Sequence, residues 1–479
     1  MPKNRPEGTR IERDGLGSMS IPADVYWGVH TSRAVRNFPF SGYRLPPAFI
    51  RAFARVKQAC ARTNALLGYL SGERGPAIVE ACSEIAEGGL HDQIVVDAFQ
   101  GGAGTSTNMN FNEVIAARAA ELLGGERGDR ELVDPLRHVN MHQSTNDVYP
   151  TALRVAVLAM LAGLEEAVSD LQAGLQRKEA EFRDVVKVGR TELMDAVPMT
   201  LGMTFGAFAE AVARDRWRIF KCRERIKRVN LGGTAVGTGL GAPRDYVLAV
   251  AGNLAEVTGL PVSRAENLVD VTQNADVFVE VSGMLKACAA NLLKIASDLR
   301  LLSSGPAAGL GEIVLPPLQA GSSIMAGKIN PVMPEAVTQV ALRVMGNDQV
   351  VTMAAGLGQL ELNHLLPLIA HSLLESLSLL TAACRGLAWG CVDGIKPRPE
   401  QCRNHVEQSM ALATVLVPAL GYGAVERIVK EADDRGETVA ARIEATGIAS
   451  REAVERLLSP RRLCKLGFTP EEFEEVRRP

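Results

Sequence analysis

The chain is 479 residues long, enough for about three domains at roughly 150 residues each. Hydrophobic residues make up 47% and charged residues 22%, a balance that buries a large core and excludes a disordered chain. With 52 basic against 55 acidic side chains and a formal charge of −3, no basic excess exists to drive binding to nucleic acid or to an anionic membrane.

Met1 to Gly15 is charged and lacks the apolar core of an export signal, so a cytoplasmic protein is expected. The N-terminal part, to Val139, mixes turns such as Ile21-Pro22-Ala23-Asp24 with moderate helices. Beyond it, Leu153, Val157, Leu161, Leu164, Val168, Leu171 and Leu175 step by four or three, just after Pro150. Val281, Leu285, Cys288, Leu292, Ile295, Leu299 and Leu302 repeat that spacing, as do Leu362, Leu366, Ile369, Leu373, Leu377, Leu380 and Cys384, with a kink expected at Pro367. A near-3.5 repeat in several long helices predicts an all-α fold built on a bundle with shallow crossing angles. Apolar residues off the main stripes (Val155, Leu158, Leu293, Leu374, Leu379) point to a homo-oligomer or a second layer.

Lys396-Pro397-Arg398-Pro399 then breaks the helical pattern. Three helical domains follow: 1–139, a central long-helix bundle over 140–396, and a small domain over 397–479. The uncharged stretch Gln408 to Val425 is interrupted by Pro418, Gly421 and Gly423, so a packed helix followed by a loop fits it better than a membrane span. The eight cysteines are scattered with no C-x-x-C pair, which suggests reduced thiols and neither a zinc site nor a disulfide framework.

Four segments combine small hydroxyl or amide side chains with a neighbouring helical pattern: Gly101 to Asn108, Gln143 to Asp147, Gly189 to Glu192, and Gly321 to Asn330. A helix start offers unpaired N–H groups and a positive dipole end. Any one such segment fits a simple N-cap. Four together, one with a Gly-flanked Lys and an Asn, fit a site for a small carboxylate or phosphate compound. Gly237-Thr238-Gly239-Leu240-Gly241 and Gly102-Ala103-Gly104 lack the Gly-Lys-Ser/Thr of a phosphate loop and any strand–turn–helix setting, which sets a nucleotide aside. His142, two residues from Ser144, reads as structural, because residues two apart on a helix do not face each other. Glu361 and Asn363 read as a polar spot in the bundle.

The segment Gly321-Ser322-Ser323-Ile324-Met325-Ala326-Gly327-Lys328-Ile329-Asn330-Pro331 resembles the G-S-S-x-M-P-x-K-x-N-P signature of the aspartase/fumarase superfamily. Gln143 to Asp147, Gly189-Arg190-Thr191 and Gly233 to Gly239 resemble further family segments, and the similarity runs from Ile11 to beyond Lys396. Asn37 to Gly42 and Gln100 to Ser106 are most similar to the aspartate ammonia-lyase branch. The resemblance implies a homotetramer around a shared core of long helices, each active site assembled from three subunits, a small carboxylate substrate, and neither an organic cofactor nor a resident metal site.

Removing a proton beside a carboxylate needs a base, and donors for the charge that builds on that carboxylate. By resemblance, Ser322 is the base at C3 of aspartate, acting as an alkoxide favoured by N–H groups and positive charge. Thr105, Ser144, Thr145 and Ser323 are implied to hold the carboxylate that takes up charge. Thr191, Lys328 and Asn330 are implied to hold the other carboxylate, with Asn146 near the amino group, and Gly321 and Gly327 let the loop close.

Three positions depart from the family pattern: Glu192 in place of His or Gln, Met194 in place of Gln, and Ala326 in place of the loop proline. Glu192 either pairs with an arginine such as Arg190 or faces a bulkier cationic amine with Met194 giving apolar room. The expected activity is elimination of ammonia from L-aspartate to give fumarate. Alternatives are a lyase for N-substituted aspartates or a quaternary-ammonium (ergothionase-like) amino acid, fumarate hydratase, and a catalytically silent structural relative.

Overall fold

The structure, a computed structural model, describes residues 8–70 and 72–473. The first residues of the charged start, 1–7, lie outside that range. Helices dominate, and the strands are short two-stranded pairs. By Cα proximity the chain divides into two units. One runs to Glu165 and takes in Trp217–Ala289 and Leu342–Thr381; the other comprises Glu166–Arg216, Ala290–Ala341 and the chain from Ala382 onward.

The predicted periodic runs are helices Thr145–Glu181, Asp276–Leu302 and Leu366–Gly390. Pro150 lies inside the first of these rather than ahead of it. Lacking an N–H, it leaves the Asn146 carbonyl without its helical donor, and Asn230 Nδ2 supplies one at 3.0 Å. Pro367 produces no kink, because the helix starts at Leu366, where a proline in the first turn forfeits no bond. Leu362 instead pairs with Gln359 in an isolated bridge. Asn363 is buried there and donates to the carbonyls of Ala354 and Ala355, closing the end of helix Val332–Gly356. The off-stripe Val155, Leu158 and Leu374 are buried within the chain. Trp217, Phe220, Met353 and Trp389 stay exposed on these and neighbouring helices.

In the first unit, Pro47–Leu66 packs on Arg74–Glu87 and Arg244–Thr258. Pro47 at its first position presets the helical φ. Phe49, Phe53, Phe111 and Tyr149 are buried together, with Phe53 stacked on Phe111 at 4.4 Å between centroids. At roughly 1.5–3 kcal/mol for each large apolar side chain buried, this cluster anchors the start of the long helix.

The second unit holds an antiparallel hairpin, Val186–Thr191 with Met194–Thr200. Val188 joins a core formed with Val406, Leu412, Leu416 and Ile428 from the C-terminal helices. The uncharged stretch from Gln408 is not one helix. It forms a 3-10 helix Met410–Leu416 and a short turn Val417–Leu420, broken at Gly421 before helix Tyr422–Arg435. Leu366–Gly394 is long and apolar enough to cross a membrane, and 61% of its apolar window is buried inside the protein. All eight cysteines are free, and only Cys464 is exposed.

Candidate active site

In the first unit the predicted residues cluster at two helix starts. Gly104, at φ 98, precedes helix Thr105–Leu122, and a Cβ there would lie 2.2 Å from the Tyr149 ring. Only glycine fits, so the Tyr149 ring closes under the loop. The Thr105 hydroxyl donates to the Gly102 carbonyl at 2.7 Å and is exposed.

Ser144 and Thr145 open the long helix. The Ser144 hydroxyl accepts from the Asn146 N–H at 3.2 Å, and Asn146 Nδ2 donates to the Ala235 carbonyl at 2.8 Å. Beneath them the buried Asp147 carboxylate accepts the N–H groups of Ser144, Gly232 and Thr234 at 2.9 to 3.1 Å. Burial nevertheless raises its pKa to about 6. The glycine-rich segment 232–239 is thus a backbone clamp on Asp147. Ser144, Thr145, Asn108, Asn140 and Thr234 line a cavity of about 480 Å³.

His142 also borders that cavity, but in a turn at φ 61 rather than on a helix. Its Nδ1 lies 2.7 Å from Asn64 Oδ1, and its ring packs on Tyr69 and Tyr246. That environment, whose burial lowers its pKa, is structural.

In the second unit, Gly189-Arg190-Thr191 sits in the hairpin and not at a helix start. Its turn residues Glu192 and Leu193 have φ 54 and 66, strained values for side chains other than Gly or Asn. Arg190 does not pair with Glu192: it donates to Glu312 at 2.7 Å. Glu192 is exposed and makes no hydrogen bond or ion pair among the described residues. Leu193 and Met194 beside it are each 71% exposed.

Glu312 is fully buried and takes His405 Nδ1 at 3.1 Å and Lys187 Nζ at 3.2 Å as well. On its other side the His405 ring places Nε2 at 2.9 Å from Gln401 Nε2.

The loop 321–330 is exposed except at its base. Gly321 N–H donates to the Lys328 carbonyl at 2.9 Å, and Asn330 Nδ2 donates to the Gly321 carbonyl at 2.7 Å. A Cβ on Gly321 would sit 2.3 Å from that Lys328 oxygen. The Ser322 hydroxyl oxygen accepts two backbone N–H groups, from Ile324 at 3.1 Å and Met325 at 2.9 Å. Two fixed donors on one hydroxyl favour its ionised form. Ser323 and Lys328 are exposed, and the Lys328 ammonium has no hydrogen-bond or ion-pair partner among the described residues.

The profile of the family described as Lyase matches residues 17–346, and that of the fumarase C C-terminus matches residues 412–465. The chain belongs to the aspartase/fumarase superfamily of lyases. It is 46% identical over 459 residues to an aspartate ammonia-lyase of a Bacillus species, spanning 96% of this chain and 98% of that one. It is 43% identical to an aspartate ammonia-lyase of Escherichia coli strain K12 over 97% of this chain and 98% of the other. A cobalt-bound fumarate lyase:delta crystallin of Brucella melitensis superposes with a TM-score of 0.92 at 48% identity, covering 96% and 100% of the two chains. A class II fumarase of Schistosoma mansoni follows at 0.89 and 33% identity, over 94% of this chain and 98% of that one.

Two charged groups of this lyase carry no expectation from the sequence: Lys57 and Glu312. Lys57 interrupts the apolar face of a helix beside Phe53 and Cys60, and Glu312 is the one charge between Arg300 and Lys328. A charge alone in an apolar run is the signal that would have found both.

Proposed function

We propose that this carbon–nitrogen lyase eliminates ammonia from L-aspartate to give fumarate. Ser322, as the alkoxide, takes the proton from C3 and the electron pair moves into the adjacent carboxylate. The resulting aci-carboxylate is held by Thr105, Ser144, Thr145 and Ser323. Its collapse forms the C2–C3 double bond and expels the ammonium group at C2, near Asn146. Thr191, Lys328 and Asn330 hold the second carboxylate. Asn330 is at present bonded to the base of its own loop, so closure over substrate exchanges that bond for one to the ligand.

The observation that carries this reading is the Ser322 hydroxyl oxygen with two backbone donors. Near-full-length likeness to aspartate ammonia-lyases supports the substrate. We read the enzyme further as a cytoplasmic homotetramer whose subunits share each site; the exposed Trp217, Phe220 and Trp389 support the association.

Formation of the unsaturated acid, followed by absorbance, tests the mechanism. Ser322→Ala lowers turnover by about two to four orders of magnitude. Turnover close to the parent's removes Ser322 as the base.

A further inference from the structure

Helix Pro47–Leu66 carries a lysine where its pattern asks for an apolar residue. Lys57 is 1% exposed, with Nζ 5.9 Å from the Phe53 ring centroid. The ammonium donates to two neutral amide oxygens, Asn140 Oδ1 at 3.1 Å and Gln143 Oε1 at 2.9 Å. No carboxylate among the described residues reaches ion-pair distance of it. The buried carboxylate of Asp147 attracts it only through space, from beyond ion-pair distance, and is itself held by three backbone N–H groups. A buried ammonium facing only amides is costly, and such an arrangement calls for an anion beyond them.

What lies beyond them is the start of the long helix. Asn140 Oδ1 also accepts from Asn108 Nδ2 at 3.2 Å, and Asn108 Nδ2 donates to Thr145 Oγ1 at 3.0 Å. Because that oxygen is engaged as an acceptor, the Thr145 hydrogen is left to donate to a ligand. The network, in which Lys57 and Asn108 donate to the same Asn140 oxygen, therefore orients a donor at Thr145 and places a cation behind it.

We propose that Lys57 is a positioning residue whose buried charge, set behind the Asn140, Asn108 and Thr145 network and acting through space, favours the aci-carboxylate over the ground-state carboxylate without touching either. This rests on reading Ser144 and Thr145 as the cradle of the charging carboxylate. Coulombic attraction scales with ligand charge, so a fixed cation acts more strongly on the doubly charged end than on the singly charged one. Its effect therefore falls on kcat more than on KM.

The test uses the full chain and 3-nitropropionate, whose nitro end ionises at carbon to a nitronate that places one more negative charge there. Carbon acids ionise slowly, so each form is assayed separately at one pH. In Lys57→Met, nitronate affinity falls at least tenfold, affinity for the un-ionised form falls less than threefold, and kcat for aspartate drops at least tenfold. Lys57→Gln, which keeps a polar tip but carries no charge, shows the same selective loss and serves if the methionine variant does not fold.

Equal losses for both forms, or none, in a folded variant overturn the proposal. Thr145→Val separates the two readings. If it weakens nitronate binding while both charge variants leave the preference intact, only the role of Lys57 falls. If it changes no affinity, the cradle itself is misassigned.

Discussion

Glu312→Gln isolates a single charge in the second unit. The carboxylate is 0% exposed and has Lys187 at 3.2 Å and Arg190 at 2.7 Å, whose side chains are 5% and 14% exposed. A glutamine oxygen can still accept from Arg190 and His405, so shape and most hydrogen bonds survive. What is lost is the counter-charge for two largely desolvated cations. Breaking a buried ion pair from one side costs about 3–5 kcal/mol, mainly through the charge left behind. The exposed Asp195, 3.8 Å from Arg190, compensates little of that. The expected loss is therefore about 3 kcal/mol, read as a lower denaturation midpoint by circular dichroism. Because Arg190 precedes Thr191, KM for aspartate should rise as well. In a Lys187→Met, Arg190→Met background the same substitution should cost less than about 1 kcal/mol, since no stranded cation remains. A cost below about 1 kcal/mol in the parent would refute the reasoning, because it would mean that water screens the cluster.

Gly321→Ala should lower kcat/KM by about a hundredfold with little loss of stability, since the new Cβ collides with the Lys328 carbonyl and displaces an exposed loop; steady-state kinetics beside a thermal melt would show this. Glu192→Gln should weaken aspartate binding and selectively reduce turnover of N-methyl-L-aspartate if the unpaired carboxylate meets the leaving amine; unchanged selectivity on the two substrates removes that role. The pH dependence of stability has a defined sign at Lys57. Burial lowers its pKa from 10.5 to about 8, so between those values the unfolded chain binds more protons and stability rises with pH. The gain is about 3 kcal/mol at about 1.4 kcal/mol per unit, and denaturation midpoints measured from pH 8 to 10 should lose that slope in Lys57→Met. Asp147 works in the opposite sense: its pKa, raised by burial to about 6, makes stability fall as pH rises from 3.8 towards 6.

The long helices were legible because burial of one stripe over many turns leaves a repeat that no local feature can hide. Leu153 to Leu175 and Val281 to Leu302 lie within helices in which those positions are buried. The hairpin around Thr191 was not legible as one. Its strands alternate well enough at Val186, Val188, Val197 and Met199, but its turn is Glu192-Leu193, where a two-residue loop ordinarily shows Asn or Gly. Pro367 misled because a proline in a periodic run marks a kink or a start equally well, and the choice depends on where the preceding turn ends.

The loop around Ser322 was legible as a compact run of eleven residues that forms contacts with itself: Ser322 with the next two N–H groups but one, Gly321 with Lys328 and Asn330. The charges behind the sites are a different case. Lys57 answers to residues more than eighty positions away, and Glu312 to residues on both sides at distances of about a hundred. Neither separation leaves a spacing to read. Yet both follow one rule, that a buried charge persists only where something opposes it. Glu312 has its opposing charges within the fold. Lys57 has neutral amides as its direct partners and the Asp147 carboxylate only at longer range, which is why we propose that it acts on an anion bound beyond Thr145.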